Sequence, residues 1–351
     1  MANWRDAIKF LGGSQEKEEE LIQEMAQQIR QVVENYRDEN QGVRRRPQHA
    51  KMIAGVRDAV FVVSPDIPED LSLDFLKPRE SYRAAVRFSN AAGFIRADDA
   101  EPDLRGAAIK IRLPEGMEQD FLMTNAKEHH AKDALEAMAT SLSFSQAGVL
   151  QQIADFVEGP DEGFLHTNEG IKQADNKITG LAKLAGRVGP ITAARILRTL
   201  KKQMGTPVES LATETYWSRA PIRIGEVAVK YRLLPATPKG EVEQSESDLR
   251  GEFQRCLERG EVRFQFQVQR YIDEERTPIE DARKAWESPH ETIAELVIPQ
   301  QRLAEDEDFF ERLDFNPWHV NTANFEPIGN MNRARKVVYP AAVEARKQGP
   351  A

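Results

Sequence analysis

The chain has 351 residues, 40% of them apolar and 30% charged, with a net charge of −9. These are ordinary proportions for a globular protein, and a pI near 5.4 argues against a general nucleic-acid binder. A single cysteine, Cys256, excludes a disulfide framework and a cysteine-rich metal site. No apolar run approaches a membrane span and the first twenty residues show no signal-peptide core, so a cytoplasmic protein is expected.

Residues 15–37 have helical periodicity, with Leu21, Ile22, Met25, Ile29, Val32, Val33 and Tyr36 on one stripe. Glu16, Glu18, Glu19 and Glu20 fall in the first turns, where the helix dipole favours negative charge. The spacing predicts a helical arm over 1–42 that packs on the body or on a partner subunit.

"RPQHAK" (46–51) then precedes the first strand set: "VRDAVFVVS", "YRAAVRFS", "AAIKIRL" and "DFLMTN", short β-forming runs separated by turn residues. Ile109, Ile111 and Leu113 alternate with Lys110 and Arg112, which predicts a strand with a polar outer face. Helical patterns follow over roughly 129–204. One stripe is Val149, Leu150, Ile153, Phe156 and Val157; another is Ile191, Ile196, Leu197 and Leu200. A second strand set comprises "EVAVKYRLL", "VRFQFQVQRY" and "TIAELVI".

Strands, helices, then strands at hairpin-like spacing predict an α+β fold. Its antiparallel sheet of about eight strands could close into a barrel. No strand leads into a Gly-rich turn and helix, which excludes a Rossmann unit. "FNPWHVNTANFEPIGNM" reads as an extended strap. "NRARKVVYPAAVEARKQ" (332–348) reads as a basic helix that kinks at, or begins near, Pro340. Residues 43–351 form one expected domain, with a helical insertion at about 129–215.

Taken singly, the polar motifs are bland. His49 could be any surface or core histidine, "RFSN" with Arg87 and Ser89 a solvent-facing strand end, and "DLRG" (103–106) a turn. Asn125 reads as turn chemistry. His129 and His130 are adjacent, so on a helix they would point apart; an exposed pair is expected rather than a zinc site. Arg335 and Tyr339 share a helix face, with Arg346 near it. Tyrosine suits a purely solvated face poorly. A phenol has a pKa near ~10, and a close guanidinium favours the phenolate by roughly 1–3 units. A phenolate is a hard ligand for ferric iron.

In this order, the motifs resemble the haem catalase superfamily, in which tyrosine is the axial ligand. "RPQHAK" resembles the distal-histidine segment. "RFSNAAG", "DLRGAAIKI" and "QDFLMTN" resemble the strands after it, and "RKVVYPAAVEAR" resembles the proximal helix. The resemblance covers roughly 43–351 and is vague over 140–215. It implies a haem b cofactor with Tyr339 as iron ligand and Arg335 as the partner that keeps it anionic. It further implies His49 as distal acid–base, Asn125 as its polar partner and Ser89 as the group orienting the histidine. Arg46, Arg87 and Arg346 would bind haem propionates, and Asp103 would belong to a substrate channel.

Two departures stand out. Gln48 replaces a usually apolar residue before the distal histidine. "AKEHHAKDALEAM", with His129, His130 and Met138, replaces aromatics after the distal asparagine. A more polar or open distal side, suited to organic hydroperoxides, is the consequence. The expected function is a catalase-related peroxidase or catalase, with a small organic electron donor and a homodimeric or homotetrameric assembly. A fatty-acid hydroperoxide isomerase or lyase of the allene oxide synthase type, and a non-catalytic haem-binding protein, are the alternatives.

Overall fold

The computed structural model describes residues 3–39, 45–93, 99–101, 103–144, 180–238, 241, 245, 247–305, 307–319 and 322–347. The stripe expected from Val149 to Val157 lies outside them. The helices bounded within the described residues include α1 (Gln15–Glu39), α2 (Ala134–Ser143), α3 (Pro190–Met204), α4 (Leu249–Arg259), α5 (Glu307–Arg312) and α6 (Asn330–Lys347). The long strands are β1 (Met52–Val63), β2 (Ser81–Asn90), β3 (Arg105–Arg112) and β4 (Glu118–Thr124). After the short β5 (Tyr216–Trp217) and β6 (Ile222–Ile224) come β7 (Val227–Pro235), β8 (Val262–Arg270), β9 (His290–Ile298) and the short β10 (Phe325–Pro327).

The expected barrel forms. Eight strands close in the order β1-β2-β3-β4-β5-β7-β8-β9 and back to β1, all antiparallel, with β6 and β10 as a side ribbon on β7. Strand alternation turns Val262, Phe264, Phe266 and Val268 into the core, as their spacing predicts. Phe61, Phe121 and Phe266 meet there at ring distances of 4.7–6.1 Å, so the barrel is filled rather than hollow. Any functional space must lie outside its wall.

The outer face of β3 is polar as predicted and Arg112 is exposed, but Lys110 is not solvated. Lys110 is 2% exposed and pairs with Glu118 at 2.6 Å and Asp120 at 3.0 Å. The strap covers it: the Asn316 N–H donates to Asp120 at 2.9 Å, and His319 Nδ1 lies 2.8 Å from the same carboxylate. In α3, Ile196 and Leu200 are buried, but Ile191 in the first turn is 86% exposed and does not belong to the stripe.

α6 runs unbroken through Pro340, so the proline neither starts nor ends the helix; it deprives the Lys336 carbonyl of its partner. α1 packs along α6 through Met25, Ile29, Val32 and Val33 against Ala334, Val338, Ala341 and Ala345. Arg333 is not a solvated charge. It bonds Glu18 of α1, 3% exposed, and Glu280, 8% exposed. Of the other basic residues in the stretch, Lys336 lies 4.6 Å from the Trp318 ring, and the exposed Lys347 pairs with Asp314 at 3.0 Å. No helix among the described residues is long and apolar enough to cross a membrane.

Candidate active site

One rung of the barrel ladder gathers the motifs. Met52 pairs with Ser89, Ser89 with Gly106, Gly106 with Thr124, and Thr124 with Trp217. The strand pleat sends the neighbours Phe88, Ala107 and Met123 into the core, so Ser89, Gly106 and Thr124 face outward.

His49 lies on this outward face. Its backbone takes a left-handed φ of 59°, unusual for a non-glycine residue and costing about 1–3 kcal/mol. Its N–H donates to the Ala91 carbonyl at 2.9 Å, and Nδ1 sits 3.0 Å from Ser89 Oγ. A Cβ on Gly106 would come within 2.5 Å of Nδ1 and 2.9 Å of Ser89 Oγ. "DLRG" is therefore not simply a turn: Arg105 and Gly106 belong to β3. Glycine inside a strand marks close approach of another group, and here that group is the imidazole.

Asn125 follows the same rung. Its Oδ1 accepts the Arg105 N–H at 2.8 Å and its N–H donates to the Arg105 carbonyl at 2.9 Å. That fixes the amide, and Nδ2 has no partner among the described residues. Gln48 is exposed and donates to Ser141 Oγ at 3.1 Å. Asp103 is buried; its carboxylate accepts the Leu104 amide at 2.8 Å and the Ala92 amide at 3.3 Å, holding the β2–β3 connection.

Arg46, Arg87 and Arg346 converge on Glu311, a residue without any distinguishing local pattern. Glu311 on α5 bonds Arg46 at 2.5 Å and Arg87 at 3.0 Å, and lies 3.8 Å from Arg346. Arg346 also pairs with Asp314 at 2.7 Å, while its Nη1 is buried without a hydrogen-bond partner. Burial, then Arg87, lower Arg46 to about 9 against the pull of Glu311, which leaves it a cation at neutral pH.

The histidine pair departs from expectation. His129 and His130 lie in a bend before α2, not on a helix, and they are not an exposed pair. Their rings stack with centroids 4.3 Å apart. His129 Nδ1 accepts the Ala131 N–H at 3.0 Å, which puts the proton of the neutral ring on Nε2. Arg195 donates to the His130 carbonyl at 2.8 Å. His130 Nδ1 is buried and unpartnered.

Burial pushes His130 down to about 3, helped by Arg219 and Arg195, and also pushes down His129. It lowers His49 to about 3, followed by Arg87, Arg219, Arg46 and Arg335. All three are neutral at pH 7. Unfolded histidine titrates near ~6.5, so between about pH 3 and 6.5 the unfolded chain binds more protons and stability falls as pH falls. We expect His49 and His130 each to contribute a loss of up to about 2 kcal/mol between pH 6.5 and 5. Urea unfolding across that range, in wild type and His130→Phe, should show a shallower acid slope in the variant.

On the far side, α6 carries Asn332, Arg335 and Tyr339 on one face. Arg335 Nη1 donates to Asn332 Oδ1 at 2.9 Å, and its guanidinium carbon lies 5.9 Å from the Tyr339 ring centroid. Asn332 Nδ2 in turn donates to the Pro221 carbonyl at 2.7 Å. This brings α6 against the turn after β5, where Arg219 sits.

No protein-family model matches the chain. Among solved structures, a bacterial catalase aligns over 87% of this chain with a TM-score of 0.59 and 17% identity. A fungal catalase aligns over 88% with 0.60 and 18%. The chain has the catalase fold. Catalase A from Saccharomyces cerevisiae agrees, with a TM-score of 0.58 and 16% identity over 88% of this chain. The chain spans 57–62% of the length of these catalases. A curated relative, the catalase-related peroxidase of Mycolicibacterium paratuberculosis (strain ATCC BAA-968 / K-10), is 27% identical over 279 residues, 75% of this chain and 77% of the relative.

Proposed function

We propose that the chain is a haem-dependent enzyme that cleaves peroxides heterolytically, acting on hydrogen peroxide or organic hydroperoxides. One observation carries this reading: a histidine is held by Ser89 over a glycine in the barrel wall, on the outward side of the rung that Asn125 follows.

The donor set suits a haem. Tyr339 offers a phenol oxygen for ferric iron, and Arg335 flanks it. Arg46, Arg87 and Arg346 would take the propionates, with Arg346 Nη1 buried and open and Glu311 sharing the charge. Haem iron would supply the redox centre at which the peroxide O–O bond is cleaved. With Nδ1 engaged by Ser89, His49 would act through Nε2. The neutral imidazole would accept the proton from one peroxide oxygen and deliver it to the other, a transfer typically worth ~10²–10⁴-fold. Asn125 Nδ2 would donate to the peroxide and hold it in place. Gln48 and Asp103 would border the approach, and the stacked His129–His130 pair would make the distal wall polar, favouring hydroperoxides with a polar body. This reading expects a cytoplasmic homo-oligomer.

The test is spectroscopic. Haem-loaded wild type should show a high-spin ferric spectrum of the tyrosinate type, and Tyr339→Phe should lose it. An identical spectrum in the variant would refute the ligation. Failure of the wild type both to evolve oxygen from hydrogen peroxide and to oxidise a standard donor would refute the activity.

A further inference from the structure

We propose that Glu311 is a positioning residue for His49, acting through Arg87, so that α5 sets the backbone from which the imidazole reaches its substrate. This rests on the reading of His49 as the acid–base group.

The His49–Ala50 backbone lies just ahead of β1, off its ladder. Its two N–H groups donate to the Ala91 and Ala92 carbonyls, each at 2.9 Å. Its two carbonyls are both met by one side chain. Arg87 Nη1 donates to the His49 carbonyl at 2.9 Å, and Nη2 donates to the Ala50 carbonyl at 3.1 Å. Arg87 and Ser89 are successive outward positions of β2. One strand face therefore grips the ring, through Ser89 Oγ, and the backbone, through Arg87. A left-handed φ at a non-glycine residue persists only where its surroundings over-determine it, and the two carbonyl contacts do this for His49.

Glu311 fixes the fork. Arg87 is 2% exposed, and a buried guanidinium needs a counter-charge. One Glu311 oxygen accepts from Arg87 Nη2 at 3.0 Å, and the other accepts from Arg46 Nη1 at 2.5 Å. The carboxylate is itself placed by α5. Phe310 is fully buried and seats its ring over Gly55, where a Cβ would come within 2.4 Å of it. Gly55 is the cross-strand neighbour of Arg87. Arg46 Nη2 donates to the Phe310 and Leu313 carbonyls at 2.8 and 2.6 Å, which holds the end of α5. Helix, carboxylate, guanidinium and histidine backbone form one continuous path. Without the carboxylate, Arg46 and Arg87 are neighbouring like charges that repel. The fork then shifts, the strained backbone relaxes, and the imidazole moves.

The experiment uses the full-length chain and two readouts. The first needs no haem: deuterium uptake at the His49 and Ala50 amides, compared with β1. The second uses haem-loaded protein: the association rate constant of hydrogen cyanide with the ferric form. The acid gives its proton to His49 Nε2 as the cyanide anion takes the iron, and the rate constant does not depend on how much protein folds or loads. Glu311→Ala should speed exchange at 49–50 by about tenfold while β1 stays slow. It should also slow cyanide association by at least about tenfold, since a displacement of about 1 Å at a reacting group costs on the order of 10²-fold. Glu311→Gln, which keeps one acceptor but no charge, should fall between. Asp308→Ala removes a charge from an exposed position of α5 and should match wild type. If Glu311→Ala leaves either quantity within twofold of Asp308→Ala, the proposal is overturned. If Glu311→Ala does not fold, the same result in Glu311→Gln overturns it equally. A haem-loaded wild type without turnover, with exchange at 49–50 still dependent on Glu311, would instead defeat the peroxide reading, a distinct failure.

Discussion

Gly106→Ala is expected to remove most peroxide turnover from a protein that still folds. The added carbon would lie 2.5 Å from His49 Nδ1 and 2.7 Å from Cε1, distances no real contact sustains, so the imidazole must move. Its backbone is already confined to a left-handed conformation, and its hydrogen bond to Ser89 ties the ring to the wall it would have to leave. A displacement of about 1 Å at a reacting group costs on the order of 10²-fold, and full loss of a general base about 10²–10⁴-fold. Overpacking of this kind destabilises by about 1–3 kcal/mol, which a chain of this size tolerates. Gly106→Ala should therefore resemble His49→Ala in turnover, and the double variant should lose little more than either. Turnover within twofold of wild type in Gly106→Ala would sink the account of the rung.

Arg333→Met should produce the largest loss of stability of any single change on α6. The guanidinium lies between Glu18 and Glu280, carboxylates that are only 3% and 8% exposed as side chains. The same carboxylates accept the Leu11 N–H at 2.7 Å and the Asn330 N–H at 2.6 Å. Removing the cation leaves two buried anions facing each other, a defect of about 3–5 kcal/mol. Chemical unfolding of Arg333→Met measures it, and adding Glu18→Gln and Glu280→Gln to the same chain should restore much of the loss. A decrease below about 1 kcal/mol would mean that the network is no stronger than a surface ion pair.

These two cases show what the sequence could and could not convey. The barrel strands were legible because their burial alternates every second residue, a signal contained in each strand, as in Val262, Phe264, Phe266 and Val268. The order of the polar motifs was legible too, and the barrel aligns Ser89, Gly106 and the residue before Asn125 on one rung. What failed was long-range. Arg333 read only as one charge of a basic helix because its partner Glu18 lies 315 residues away. Lys110 looked exposed because the strap that covers it arrives some two hundred residues later. Gly106 looked like turn chemistry because the ring it accommodates belongs to another segment. His129 and His130 were misjudged for a local reason: adjacent side chains diverge on a helix, but a bend lets their rings stack. Glu311 carries no pattern at all, since it is defined by the arginines that converge on it in space.

The closure of the ring has a kinetic consequence. β5 contributes two residues, bound to β4 by the single pair Thr124–Trp217 and to β7 by two, whereas every other junction of the ring has four pairs or more. Amide exchange should therefore be fastest along this seam, because local opening follows the sparsest hydrogen bonding. Asn125 and Arg219 flank it on either side. A group bound between them would lace the barrel shut, and slowed deuterium uptake at 124–125 and 216–219 would report its arrival without any chemistry being followed.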